Sequence, residues 1–285
     1  RFWIDNPALV SGRSKPANGW LLEDQGRMVG FFGNIALLYY YGDRPVIVAD
    51  ASQWGVEKTH RHQTAQLADA YFSQGDADVL LVTTGIKPTG RLFERYGAGR
   101  IPQPDYHRVL YWIVDTGGFM AAALRKRGLP SPLASLAAGF GEPLAKASMT
   151  LGRRRLGGAI GGIELIGVDD IDEAFDDLWQ RKRDEVPRLL ACRSAQCLRW
   201  HFAPTRLAQR TRFLVSRNGN QIDGYAVTLR EDAPDIGLKR LKIVDMFMDN
   251  DDRNLGAGLL DPFLDQTARH AADPYFLAVG RSAFA

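Results

Sequence analysis

Apolar residues gather first in two short runs, 20–23 and 28–35, separated by Asp24-Gln25-Gly26-Arg27, whose residue types suit a tight turn between antiparallel strands. Apolar positions at 46–49 and 52–56 predict a third strand region. From 59 to 73 apolar and polar positions alternate at helical spacing, with Leu67, Ala70 and Tyr71 on the apolar side. Val79-Leu80-Leu81-Val82 is an unbroken apolar run and reads as a buried strand. A shorter helix is predicted over 88–96, closed by Gly97, and 109–114 predicts one more strand.

The same order returns further along. Residues 213–217, the turn Asn218-Gly219-Asn220 and residues 222–229 predict a hairpin, 242–248 a strand, 255–269 a helix and 275–279 a strand. Gly26 and Gly219, Gly30 and Gly224, Arg61 and Arg253, Leu67 and Leu259, and Gly85 and Gly280 are each separated by 192 to 195 positions. An offset held over that span predicts a duplicated unit, with 1–115 and 163–285 as two superposable domains. The stretch between them, 116–162, resembles neither half: Gly117-Gly118, Pro130, Pro132 and Pro143 interrupt Ala- and Leu-rich segments. It reads as a helical linker. Its basic run Arg153-Arg154-Arg155 also fits an amphipathic segment in peripheral contact with an anionic membrane, but packing across a domain junction is the commoner use of such a segment.

Composition narrows the classes. With 285 residues, 45% hydrophobic and 24% charged, the chain can build two cores of ordinary size. Its 36 basic and 33 acidic residues leave a net charge of +3, too small a field to indicate a nucleic-acid partner. Cys192 and Cys197 have no second Cys or His at zinc-ligand spacing, so no metal is expected and both read as plain thiols. No apolar run approaches the roughly 20 residues that span a bilayer, and Arg1-Phe2-Trp3-Ile4-Asp5 has no signal-peptide pattern, which together suggest a cytoplasmic chain. The first residue is not Met, as in a fragment of a longer polypeptide.

The stretch with the most chemistry is the end of the 242–248 strand and the loop beyond it. After Asp249 to Asp252, Arg253, Gly256 and Gly258 stand at R-x-x-G-x-G spacing where a helix begins. Glycines there let backbone N–H groups approach a pyrophosphate, and the helix dipole favours the negative charge. A glycine-eased helix entry gives the same pattern.

In this order of elements the sequence resembles the GNAT (GCN5-related N-acetyltransferase) acyltransferases, whose pyrophosphate loop carries R/Q-x-x-G-x-G/A. The resemblance implies an α/β (α+β) chain of two tandem GNAT-like domains, each a mixed, mostly antiparallel sheet flanked by helices. In the first half Arg61 stands as far from Val56 as Arg253 does from Met248, while Thr64 and Gln66 replace the two glycines. Residues 91–97 resemble the family's helix ending in tyrosine, three residues and glycine, with Phe93 at the tyrosine's place and Ile86 at that of the family's asparagine. Phe175-Asp176-Asp177-Leu178-Trp179 and Cys197-Leu198-Arg199-Trp200-His201-Phe202 resemble the opening of the C-terminal half in bacterial tandem GNAT-like proteins, several associated with exopolysaccharide or cell-envelope biosynthesis. Core packing accounts equally for these Trp-rich elements.

The resemblance implies a central strand that splays from its neighbour, leaving backbone groups at Trp54 to Val56 and at Phe247 and Met248 to hold a pantetheine thioester. The donor would be acyl-CoA or the acyl-phosphopantetheine of an acyl carrier protein, and the acceptor a small-molecule amine. Acyl transfer needs a base, an oxyanion donor and a proton source. Asp50 and Asp245 are the candidate bases, and Tyr71 and Tyr96 the candidate proton donors. Trp54, Val56, Arg61, Thr64, Phe247, Met248, Arg253, Gly256 and Gly258 are the candidate donor-binding residues, with the second-half loop expected to be the better phosphate site. His60 and His62 flank Arg61 and read as solvent-facing, with phosphate contact as the functional reading. Fem-type transferases, which use aminoacyl-tRNA, also have tandem GNAT folds, but the small net charge argues against a tRNA substrate. The competing class is a catalytically degenerate scaffold in envelope-polysaccharide assembly, favoured by Phe93 and the absent first-half glycines.

Overall fold

The computed structural model describes residues 3–9, 15–83, 87–101, 109–113, 115–136, 139, 162–260 and 276–280. Gly85, Ile86, the 153–155 basic run and 261–275 lie outside them. The chain divides into two compact units, residues 1–104 with 183–201 and residues 105–182 with 202–282. The sequence boundaries at 115 and 163 differ from this division: 105–115 group with the second unit and 183–201 with the first.

In the first unit, β1 (Gly19–Asp24), β2 (Arg27–Tyr41) and β3 (Arg44–Val56) form an antiparallel meander. Gln25 and Gly26 both take positive φ, 49° and 76°, as the tightest hairpin turns require. β2 continues beyond residue 35 to Tyr41, because buried Ala36 and Tyr39 give it further sites on the core. β4 (Val79–Leu81) runs parallel to β3, and β7 (Leu189–Ala191) pairs with Tyr39–Tyr41 of β2. The helix expected over 59–73 divides into a 3-10 turn, Lys58–Gln63, and α1 (Thr64–Phe72). Leu67, Ala68 and Tyr71 of α1 are buried at the spacing of one helix face. α2 (Lys87–Arg95) ends before Gly97, whose φ is 81°. Leu22, Val29, Phe32, Ala49, Ala51, Leu67, Tyr71 and Phe93 make the core, each large apolar side chain contributing about 1.5–3 kcal/mol on full burial.

β3 carries one extra residue. Gly33 pairs with Ser52 and Phe32 with Trp54, which leaves Gln53 as a bulge with φ of 49°. A Cβ on Gly33 would lie 2.5 Å from Ser52 O, so only glycine fits opposite the bulge. The bulge shifts the alternation by one, so Trp54 and Val56 pack on the same cluster as Ala49 and Ala51. Val46 and Val48 belong to the opposite face, with Tyr39 and Ala191, and Asp50 is in phase with them.

The second unit contains β5 (Val109–Trp112), α3 (Thr116–Lys126), α4 (131–136), β6 (Ile163–Ile166), most of α5 (Ala174–Glu185), α7 (Thr205–Ala208), β8 (Thr211–Asn218), β9 (Gln221–Arg230), β10 (Arg240–Met248), α8 (253–260) and β11 (Phe276–Gly280). α6 (Ala195–Phe202) lies mainly in the first unit. The sheet order is β5-β11-β10-β9-β8-β6, antiparallel except between β10 and β11. α3 starts at Asp115, whose Oδ1 accepts from Gly118 N at 3.0 Å. Each unit is therefore a mixed, mostly antiparallel sheet flanked by helices. Among the described residues no helix is long and apolar enough to cross a membrane.

Candidate active site

In the first unit, β3 and β4 are joined only through Val48–Val79, Ala49–Leu80 and Asp50–Leu81. Beyond Asp50, among the described residues, β3 continues to Val56 along β2 alone, so the parallel pair opens into a fork. Asp50 stands at the root of this fork, where its carboxyl accepts from Thr83 Oγ1 at 3.2 Å. Burial pushes the Asp50 pKa up to about 6, against the opposing effect of the Thr83 hydrogen bonds. Its charge reaches two buried phenols, Tyr39 and Tyr71, both held above their ordinary range by burial first and by Asp50 second. Tyr71 Oη is 2.9 Å from Ala49 O and 3.0 Å from Leu81 O, bridging the two strands where they part.

Trp54 lies along the open part of the fork, on the face covered by α1 and α2. Its ring stacks on Phe93 at a centroid distance of 5.6 Å and an interplanar angle of 13°, and packs on Phe32 at 5.1 Å. Its Nε1 is closed off from solvent and has no hydrogen-bond partner among the described residues. Val56 pairs with Gly30, and Glu57 N donates to Val29 O at 2.9 Å, which ends the ladder.

The next loop is basic: Lys58, Arg61 and His62 are exposed, while His60 is tied back through Nε2 to Asp24 Oδ2 at 3.1 Å. The start of α1 has no side-chain cap and no acid in its first turn. Thr64 Oγ1 donates to Arg61 O at 2.7 Å, so its hydroxyl fixes the loop.

Phe93 is buried in the core and, as the sequence indicated, has no hydroxyl to offer. Tyr96 stacks on Phe72 at 4.5 Å and donates to Asp69 Oδ1 at 2.6 Å. That hydrogen bond is the main cause of its raised pKa, with burial and the Asp69 charge second and third. Asp50 and Tyr96 thus have different partners.

The second unit has a similar fork with different chemistry. β10 pairs with β11 from Arg240 to Ile243 and then, among the described residues, runs along β9 alone to Met248. Val244 is the extra residue of a second irregularity, after which Met246 and Met248 pack toward Leu255 and Leu259 of α8. Asp245 is buried, and its Oδ1 accepts from Met246 N at 3.1 Å. Phe247 packs on Trp179 and Tyr225, at 6.0 Å and 5.8 Å. Beyond Met248 the loop is acidic: Asp249 pairs with Arg181 at 3.1 Å and Asp251 with Lys182 at 2.7 Å. The Asp252 carboxylate caps α8, accepting from Asn254 N at 2.8 Å and Leu255 N at 3.3 Å, and Gly256 N donates to Asp252 O at 3.0 Å. A Cβ on Gly256 would lie 2.8 Å from Met248 Sδ, so this glycine allows close helix-to-strand packing. Gly258 is buried and Arg253 exposed. The backbone donors expected to meet a pyrophosphate are here paired within the protein.

Sequence reasoning singled out Asp50, Trp54 and Arg61 but missed Thr83 and the bulge at Gln53. Thr83 carries no pattern, and a single extra residue in a strand is invisible without its partner strand.

The mixed sheets flanked by helices match a GNAT-like fold. No family model and no curated protein sequence matches the chain. Solved structures do. The chain is similar to a GCN5-related N-acetyltransferase from Anabaena variabilis ATCC 29413, with 13% identity, a TM-score of 0.52, and coverage of 92% of this chain and 55% of that one. It is likewise similar to the N-myristoyltransferase of Saccharomyces cerevisiae with bound myristoyl-CoA, with 14% identity, a TM-score of 0.53, and coverage of 92% and 59%. The chain spans less than two thirds of either relative's length. These likenesses carry the fold.

Proposed function

We propose that this chain is an N-acyltransferase that moves an acyl group from acyl-CoA to a small-molecule amine, with the first unit holding the donor. The supporting observation is the fork at Asp50 and Leu81, which has a carboxylate of raised pKa at its root and an exposed basic loop at its end. A base with a pKa of about 6 is mostly ionised at neutral pH yet more basic than an ordinary carboxylate, which suits taking up the proton that the amine nitrogen loses as it attacks. Lys58 and Arg61, both exposed, favour the diphosphate of CoA.

The amine attacks the thioester carbonyl, Asp50 takes its proton, and the C–S bond breaks to release the thiolate. A thiol pKa of about 8.5 lets that thiolate leave without a strong acid and take its proton from water. Tyr96 is assigned a bracing role through Asp69, and Tyr71 a structural one at the fork. The acidic, self-capped loop of the second unit is the reason to place the donor in the first, and to give the second unit the scaffold role. We further propose that the two units descend from one duplicated GNAT-like unit. Gly30 and Gly224 each pair with the last residue of the central strand, Val56 and Met248.

The test is release of free CoA thiol from acetyl-CoA in the presence of a panel of primary amines. The wild type is expected to turn over at least one amine, and Asp50→Asn to lower kcat by about 100-fold or more. Unchanged turnover in Asp50→Asn would remove Asp50 from the mechanism.

A further inference from the structure

Asp50 needs more than burial to act as a base. Burial alone favours the neutral carboxyl, which cannot take up a proton. The phenols of Tyr39 on β2 and Tyr71 on α1 are both held above their ordinary range, so at neutral pH they are uncharged and give the carboxylate no opposite charge. Arg193, just past β7, acts on Tyr39, and Tyr71 Oη is committed to the carbonyls of Ala49 and Leu81. Thr83 remains. Asp50 is level with Leu81 in the parallel pair, and Leu81 packs with Tyr39, Val46 and Val48. Thr83 stands two residues further on, in phase with Leu81 on that same face. From there its hydroxyl donates to Asp50 Oδ1 at 3.2 Å, and its backbone hydrogen bond to the carboxyl also favours the ionised form. Thr83 is exposed, so its side chain is not part of the core.

We propose that Thr83 is the positioning residue of Asp50, its hydroxyl holding the carboxylate oriented and ionised at the root of the fork for the proton that the amine nitrogen loses. This rests on the acyl-transfer reading, in which Asp50 is the base. A hydroxyl donates more strongly to a carboxylate than to a neutral acid, so the bond is worth most in the form that works as a base. It also restricts a side chain with two free torsions, which keeps the accepting oxygens in one orientation toward the amine.

Thr83→Val tests this, because valine keeps the shape and the backbone N–H and removes the hydroxyl alone. The Asp50 carboxyl is followed by carbon NMR of protein with labelled aspartates, its resonance being the one missing from Asp50→Asn. In Thr83→Val its titration midpoint should rise by about one pH unit, the effect of losing one hydrogen bond to a charged group, and in Thr83→Ser it should stay near wild type. With acetyl-CoA and an amine that wild type accepts, kcat should fall about tenfold in Thr83→Val while the KM for acetyl-CoA holds, and Thr83→Ser should restore it. Thr83→Ala carries the same expectations as Thr83→Val should the latter not fold. An unchanged Asp50 midpoint or an unchanged kcat overturns the inference and leaves the acyl-transfer reading standing. Absence of turnover by wild type with every amine overturns that reading, and the role of Thr83 with it.

Discussion

Asp50 stands out in the sequence as a carboxylate within an apolar strand, which is enough to nominate it. Its depth at the fork and its Thr83 partner come only from the pairing of β3 with β4. Burial lifts its folded pKa to about 6, above the ordinary value of 3.8, so the folded state holds this proton more firmly than the unfolded state does. Its stabilising effect is therefore full below about pH 4, declines as pH rises toward 6 and is absent above it. Thermal unfolding of wild type and Asp50→Asn between pH 4 and 7 checks this. The difference in Tm should move in favour of the variant as pH rises, and a constant difference would show that Asp50 is not desolvated. Trp54 shows a different limit of local reading. Its place at the strand end is plain from the sequence, but a strict two-residue alternation puts it on the wrong face, and the bulge corrects that.

Elements with strong local signals were legible. The hairpin turns at Gln25-Gly26 and at Gly219 stand where turn chemistry puts them, because positive φ at these positions is a local requirement. β6 and β7 were not legible: four and three residues long, they are held by pairing with distant strands and have too few positions to show a period. The start of α8 shows how one pattern serves two ends. Arg253-x-x-Gly-x-Gly reads as a phosphate loop, yet Asp252 occupies the helix donors and Gly256 packs on Met248. Gly256→Val is accordingly expected to cost about 1–3 kcal/mol in stability, by denaturant unfolding, without weakening CoA. Lost CoA affinity in a stably folded Gly256→Val protein would return the donor to the second unit.

At the scale of the whole molecule, the repeated order of elements suggested domains over 1–115 and 163–285, whereas the two compact units of the chain have different members. Their membership was beyond local reading, since β5 joins the β11 edge of the second sheet and β7 joins β2 of the first. The two forks share a geometry but differ in charge, with Lys58, Arg61 and His62 exposed after β3 and Asp249, Asp251 and Asp252 following β10. That contrast carries the central claim, that the donor belongs to the first unit. Its most direct test is calorimetric titration of CoA into Arg61→Glu and Arg253→Glu, two exposed charge reversals at matching places. Arg61→Glu should weaken CoA about tenfold or more, the worth of a charge-assisted phosphate contact, with Arg253→Glu close to wild type. The reverse ranking, with Arg253→Glu impaired and Arg61→Glu unaffected, would contradict it.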